Sequence, residues 1–213
     1  MTEHSLRDFK FPNRTTEIYL VRHGQSIHNE KQIVAGQLDS QLTARGIADA
    51  CSVASAIGRS DFDLIYCSDL KRARETTQVI VDRLRIDCPL KVSPLLRELD
   101  YGEYTNRPVT EAFAALNYKI VQDQRYPGGE SFQDLEKRVT RFASSFRAEI
   151  EGKRTLVVAH AGSIRMLLIV LDRVHRQQYL MQTFSNRYLG KIVQKPGGLV
   201  SYELIHDGTT ESV

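Results

Sequence analysis

Short apolar runs alternate along the chain with longer stretches whose apolar residues recur every three or four positions, a pattern of buried strands separated by amphipathic helices. The runs 17–21, 63–67 and 155–159 read as strands, with a short one near Val92. Between them, Thr43 is placed to cap a helix with Ile47, Ala50/Cys51, Ala54 and Ile57 inward and Gly58 at its end. Ser68 or Asp69 is placed to cap a second, whose inner face is Leu70, Ala73, Thr77, Ile80 and Leu84. Further helical patterns cover 110–117 and 131–150, the latter with Phe132, Leu135, Val139, Phe142 and Phe146 as a core stripe. Ile164, Leu167, Leu168 and Leu171 mark another helix, and a polar one is expected over 174–182. Residues 26–41 lack periodicity and are expected to form a loop over the first strand's end. The segments 188–194 and 199–205 complete the set as an antiparallel pair at one edge of the sheet. This alternation predicts an α/β fold: a three-layer α/β/α sandwich around a mostly parallel sheet.

The chain is expected to divide into a polar arm over 1–16, one domain over 17–206 and a tail over 207–213. Its 213 residues suffice for one full hydrophobic core. With 41% hydrophobic and 26% charged residues, the composition is that of an ordinary globular protein. The net charge of +3 is too small and dispersed to predict nucleic-acid binding, though it suits small anionic substrates. Cys51, Cys67 and Cys88 share no metal-ligand or disulfide spacing and read as reduced thiols in a cytoplasmic protein. No apolar stretch approaches the roughly 18 residues of a membrane span, so no membrane association is expected.

Two of these strands end alike. The first runs into Arg22-His23-Gly24, and 155–159 runs into His160-Ala161-Gly162. In an open α/β sheet, ligands collect outside the carboxyl ends of the strands, so both imidazoles are expected at one edge. A neutral imidazole held in one tautomer can attack phosphorus. Arg22 offers a planar fork to phosphate oxygens, and Arg72, near a helix start, a second. His160 is placed to offset charge on the transferring group. Gly24 leaves space for phosphate beside the backbone and permits a turn strained for other residues. Glu98 is the candidate proton donor to the leaving oxygen and base for water, with Asp100 next. Either histidine alone reads as a structural residue; it is their joint placement that suggests chemistry. His4, His28, His175 and His206 read as surface or loop residues, and no third ligand joins His23 and His160 at metal spacing.

Together these residues resemble the histidine phosphatase superfamily, the branch with phosphoglycerate mutases and many small phosphatases. Arg22-His23-Gly24 with Asn29 matches its opening motif, followed by Asp39, Leu42-Thr43 and Gly46. The segment from Ser68 through Arg72-Ala73 to Thr76, then Glu98 with Gly102, Pro127-Gly128-Gly129-Glu130-Ser131, and His160 match in order. The resemblance implies a phosphoglycerate mutase-like fold and a phosphohistidine on His23. It implies that Arg22, Arg72 and His160 bind the transferred group, and that Glu98 is the proton donor. It further implies that Asn29 touches phosphate or orders its loop, that Gln25 contacts substrate, and that no metal or organic cofactor takes part.

Departures from the pattern are Ala161 where glycine is usual, and Thr105-Asn106 after the aromatic Tyr104, a candidate substrate contact. Arg187 is placed either to reach an anionic substrate tail or to face water. Mutase relatives carry a longer, more basic insertion between the acid and the second histidine. The short segment here therefore favours hydrolysis of a small phosphomonoester over phosphoglycerate mutation or a non-catalytic phospholigand-binding module. The 199–205 edge or a helix face could form a homodimer.

Overall fold

A computed structural model describes residues 14–114, 124–172, 183–196, 198 and 200–208. Six strands form one sheet: β1 (Thr16–Arg22), β2 (Leu64–Ser68), β3 (Leu90–Ser93), β4 (Arg154–Ala159), β5 (Leu189–Gln194) and β6 (Val200–His206), in the order β3-β2-β4-β1-β5-β6. The neighbours β3, β2, β4 and β1 pair in parallel, while β5 runs against both β1 and β6. The edge hairpin predicted over 188–205 is thus present, and the architecture is the three-layer sandwich.

Strand alternation explains the layers. Ile18, Leu20, Leu64, Tyr66, Val157 and Ala159 point to one face, packed by Leu135, Val139, Phe142 and Phe146 of helix α5 (Phe132–Ile150) and Ile164, Leu167 and Leu168 of α6 (Ala161–Asp172). Tyr19, Val21, Ile65, Cys67, Leu156 and Val158 point to the other, covered by α2 (Ala44–Ile57) and α3 (Lys71–Leu84). Both faces of the central strands are buried, which is why they read as unbroken apolar runs.

Several local expectations need correction. The inner face of α2 is Gly46, Asp49, Ala50, Val53, Ala54 and Ile57, while Ile47 is 49% exposed and Cys51 only half-buried. One position of helical rotation separates the two readings: Asp49 turns inward onto the Gln25 N–H and Arg187 Nε, and Gly46 onto the Gln25 backbone. Helix α3 starts after Leu70, with neither Ser68 nor Asp69 as N-cap. Its Lys71 N–H donates instead to Asp39 Oδ1 at 2.8 Å, so the capping oxygen comes from a distant loop. That loop is not wholly irregular, since Ser26 and Asn29 form a capping box for the short α1 (Ile27–Glu30). A further helix, α4, spans Val109–Ala114. The rest of the expected 110–117 helix, the polar helix over 174–182, His4, His175, residues 1–13 and residues 209–213 lie outside the described residues.

Candidate active site

The sheet register itself brings the two histidines together. Arg22 of β1 stands opposite Ala159 of β4, so His23 and His160 leave neighbouring parallel strands at the same level. Adjacent strands are ~4.8 Å apart, and the two rings lie with centroids 5.0 Å apart. The His23 N–H extends the ladder by donating to the Ala159 carbonyl at 3.0 Å. Both side chains are buried, at 3% and 0% exposure.

His23 Nδ1 lies 2.8 Å from the Gly24 carbonyl, which can only accept, so Nδ1 carries the proton. Nε2 is then a bare acceptor, and it takes a hydrogen bond from Arg72 Nε at 3.1 Å. Burial, then the charges of Arg72 and Arg22, hold the ring's pKa well below the ordinary histidine range. The ring is therefore neutral at neutral pH, with Nε2 as its bare nitrogen.

His160 is fixed from the other side. Its Nε2 is 2.9 Å from Ser68 Oγ, and that oxygen already accepts a hydrogen bond from the Leu70 N–H. Nε2 is the one acceptor within reach of the Ser68 hydroxyl proton among the described residues, which assigns the Ser68 proton to that bond and the His160 proton to Nδ1. Nδ1 is buried and without a hydrogen-bond partner among the described residues, as is Nε of Arg22. Buried donors left unmatched are costly, and an anion placed between them would supply the acceptor both lack. Burial, followed by Arg72, His23, Arg22 and Arg138, keeps His160 neutral as well.

The two arginines are built in differently. Arg22, at the end of β1, gives Nη1 to the Phe184 carbonyl. Arg72, on the first turn of α3, is 2% exposed and spends Nη1 and Nη2 on the carbonyls of Leu38 and Gly36, each at 2.8 Å. Its fork is thus engaged by the 33–40 loop rather than open across the pocket. Burial lowers its pKa to about 10, still leaving it charged at neutral pH.

Glu98 lies in the irregular stretch before a 3-10 turn at Gly102–Tyr104. Its Oε1 accepts from the Leu99 N–H at 2.8 Å and from the Gly162 N–H, in the first turn of α6, at 3.0 Å. The Glu98 carboxylate is thereby tied to the residue two places beyond His160. A Cβ on Gly162 would stand 2.1 Å from Glu98 Oε1, which explains the glycine. Ala161 opens α6 with no left-handed backbone, so its methyl group is accommodated. Asp100, the alternative acid, turns Oδ1 onto the Gly102 N–H at 2.9 Å.

Residues 18–204, which contain all of these groups, match the histidine phosphatase superfamily (branch 1). The chain belongs to that superfamily. A 2,3-bisphosphoglycerate-dependent phosphoglycerate mutase from Bradyrhizobium sp. (strain ORS 278) is 32% identical, over 92% of this chain and 95% of its own. Among solved structures, the alpha-ribazole phosphatase of Shigella flexneri superposes with a TM-score of 0.76 at 24% identity, over 89% of this chain and 95% of that one. A phosphoserine phosphatase from Entamoeba histolytica does so with a TM-score of 0.75 at 23% identity, over 91% and 98%. These two likenesses establish the fold. No helix among the described residues is long and apolar enough to cross a membrane.

Set in that superfamily, the outer residues separate into pocket and support. Gly24 serves packing: a Cβ there would lie 2.1 Å from the Gly46 carbonyl oxygen, its φ is not positive, and its N–H donates to Thr76 Oγ1 at 3.0 Å. The expectation of a turn strained for other residues is therefore corrected: the glycine is required by the close approach of the Gly46 backbone. Gln25 accepts from Thr43 Oγ1 at 2.8 Å. Asn29 orders its loop, with Oδ1 accepting from the Ser26 N–H at 3.1 Å and from Asn186 Nδ2 at 3.3 Å. Tyr104 packs edge-on against Tyr126 with its ring under Arg107. Arg187 does not simply face water, because its Nε donates to the buried Asp49 Oδ1 at 2.9 Å.

The sequence reading missed Asn186, whose Nδ2 also donates to the His23 carbonyl at 2.9 Å, and gave no role to Tyr101. The Tyr101 hydroxyl is pushed up by burial, then by the charges of Glu98 and Tyr126, with Arg165 and Arg22 acting the other way, and its ring packs 4.9 Å from that of Tyr126. Nothing in the local sequence of either residue signals this. His28 is half-buried rather than loose, joining Ser40 Oγ at 2.9 Å to Asn106 Oδ1 at 3.0 Å.

Proposed function

We propose that the protein hydrolyses small phosphomonoesters through a covalent phosphohistidine on His23. The observation that carries this reading is a neutral imidazole with Nε2 held bare by the Gly24 carbonyl, beside Arg72 and 5.0 Å from a second imidazole. The substrate phosphate takes over the Arg72 Nε–H and accepts from Arg22 and from His160 Nδ1. His23 Nε2 then attacks phosphorus as the P–O bond to the alcohol breaks, and Glu98 gives its proton to the leaving oxygen. The Gly24 carbonyl partly offsets the positive charge on the phosphorylated ring. In the second half, water attacks phosphorus, its proton passes to the Glu98 carboxylate, and the P–N electron pair returns to Nε2. Inorganic phosphate leaves and the resting state is restored.

Hydrolysis is favoured over transfer by the basic side chains flanking the acid loop. Arg125 pairs with Asp134, Arg138 with Glu130, and the exposed Arg107 faces Glu111. Each has a carboxylate partner, whereas a mutase needs cations to hold a second anionic group. Lys119 lies outside the described residues. The mutase reading draws support from the Bradyrhizobium relative, which matches nearly end to end, so overall length does not separate the reactions. Release of inorganic phosphate from a panel of phosphomonoesters tests hydrolysis. Isomerisation of a phosphoglycerate that needs a bisphosphorylated primer, without such release, would replace it with the mutase, and binding without either reaction would leave a ligand-binding module.

A further inference from the structure

We propose that Arg138 and Glu130 are positioning residues for Glu98, forming a clasp that sets the proton donor against the leaving oxygen; this rests on the reading of Glu98 as the acid. The stretch bearing Glu98 has no ladder or helix to hold it. Arg138, on the second turn of α5, supplies the missing frame. Its Nη1 donates to the carbonyls of Leu95 and Arg97, both at 2.9 Å, and its Nη2 to that of Glu98 at 3.1 Å. Nε and Nη2 donate to Glu130 at 2.9 and 2.8 Å. A guanidinium has five N–H donors, and here all five are used.

Glu130 grips the other side. Its Oε2 accepts from the Asp100 N–H at 3.0 Å, and its own N–H donates to the Asp100 carbonyl at 2.8 Å. The two side chains thus fix backbone positions 95, 97, 98 and 100. With side-chain exposures of 11% and 18%, the pair is poorly screened by water. Arg138 has no donor left for substrate, so it acts through Glu98 rather than on the phosphate. Three carbonyls and a carboxylate exceed the three donors of a lysine, which makes Arg138→Lys a stringent probe.

The test is kcat/KM across a series of phosphate monoesters, from p-nitrophenyl phosphate, whose leaving group needs no proton, through phenyl phosphate to a simple alkyl phosphate. Arg138→Lys and Glu130→Gln are compared with Glu98→Gln and with the Glu98→Gln/Arg138→Lys double variant. A misplaced acid should cost roughly ten- to hundredfold on the alkyl ester and only about threefold on p-nitrophenyl phosphate, with little further loss in the double variant. Equal losses across the series, or none, would overturn the clasp even with Glu98→Gln selective for poor leaving groups. If Glu98→Gln is itself indifferent to the leaving group, the acid assignment fails first, and the clasp with it. Should Arg138→Lys not fold, Glu130→Gln, which keeps an acceptor but not its charge, gives the same reading.

Discussion

Replacing Gly162 by alanine should separate activity from stability. The new Cβ would stand 2.1 Å from Glu98 Oε1, where ordinary contact begins at 3.4 Å, so the carboxylate must retreat by at least about 1.3 Å. Leu135 Cδ2, at 3.3 Å, restricts accommodation on the other side. The Glu98 oxygen would also lose its 3.0 Å hydrogen bond from the Gly162 N–H. A displacement near 1 Å at a reacting group costs on the order of 100-fold, and that is the expected fall in kcat/KM for an alkyl phosphate. The fold should not suffer, because alanine is favoured over glycine in a helix by about 1 kcal/mol and the obstructing atom ends a flexible side chain. Steady-state kinetics and thermal unfolding of the same preparation provide the assay. A rate near wild type would refute the geometry, and a parallel collapse of stability would refute its local origin. Ala161→Gly, one position earlier, serves as a control that should leave the rate little changed.

Ser68→Ala should free the His160 ring to change tautomer, lowering kcat about tenfold, the worth of one buried hydrogen bond; long-range proton–nitrogen NMR should show the proton on Nδ1 in the wild type and a mixture in the variant. Burial and the neighbouring arginines hold His23 and His160 unprotonated in the folded state, whereas the unfolded chain takes up these protons below about pH 6.5. Stability from these rings is therefore full above that pH and falls as pH drops toward the folded-state values, by up to about 1.4 kcal/mol per pH unit per ring. Unfolding midpoints from pH 7 to 5 should show this slope, and it should flatten in His160→Gln; an unchanged slope would contradict it. Arg187→Met should lower stability by about 3 kcal/mol by stranding the buried Asp49. It should leave KM unaltered, and a raised KM would restore Arg187 as a substrate contact.

What the sequence reveals here follows from how local each determinant is. The strand runs, the Thr43 cap and the stripe on α5 are written in neighbouring residues, and they form where expected. His23, His160 and Arg72 were legible because each sits at a strand end or helix start, and the parallel register converts that placement into proximity. Groups whose roles depend on distant partners were not legible. Asp39 caps α3 from 32 positions away, and Asn186 reaches His23 from 163. Asp49 draws Arg187 inward, which no reading of the 185–187 segment reveals. Gly24 was assigned to the phosphate because it follows His23, yet its contact with the Gly46 backbone appears only when two loops meet. Arg138 is one of several basic residues along α5, and its bonds to the Leu95 and Arg97 carbonyls arise only when the 95–98 segment folds over it.

The most direct test is to trap the phosphoenzyme by rapid quench during turnover of a phosphorus-labelled aryl phosphate. Label stable to alkali and labile to acid should map to His23, accumulate more in Glu98→Gln with an activated ester, and vanish in His23→Ala along with turnover. Label on another side chain, or a normal steady-state rate in His23→Ala, would contradict a nucleophilic role for His23.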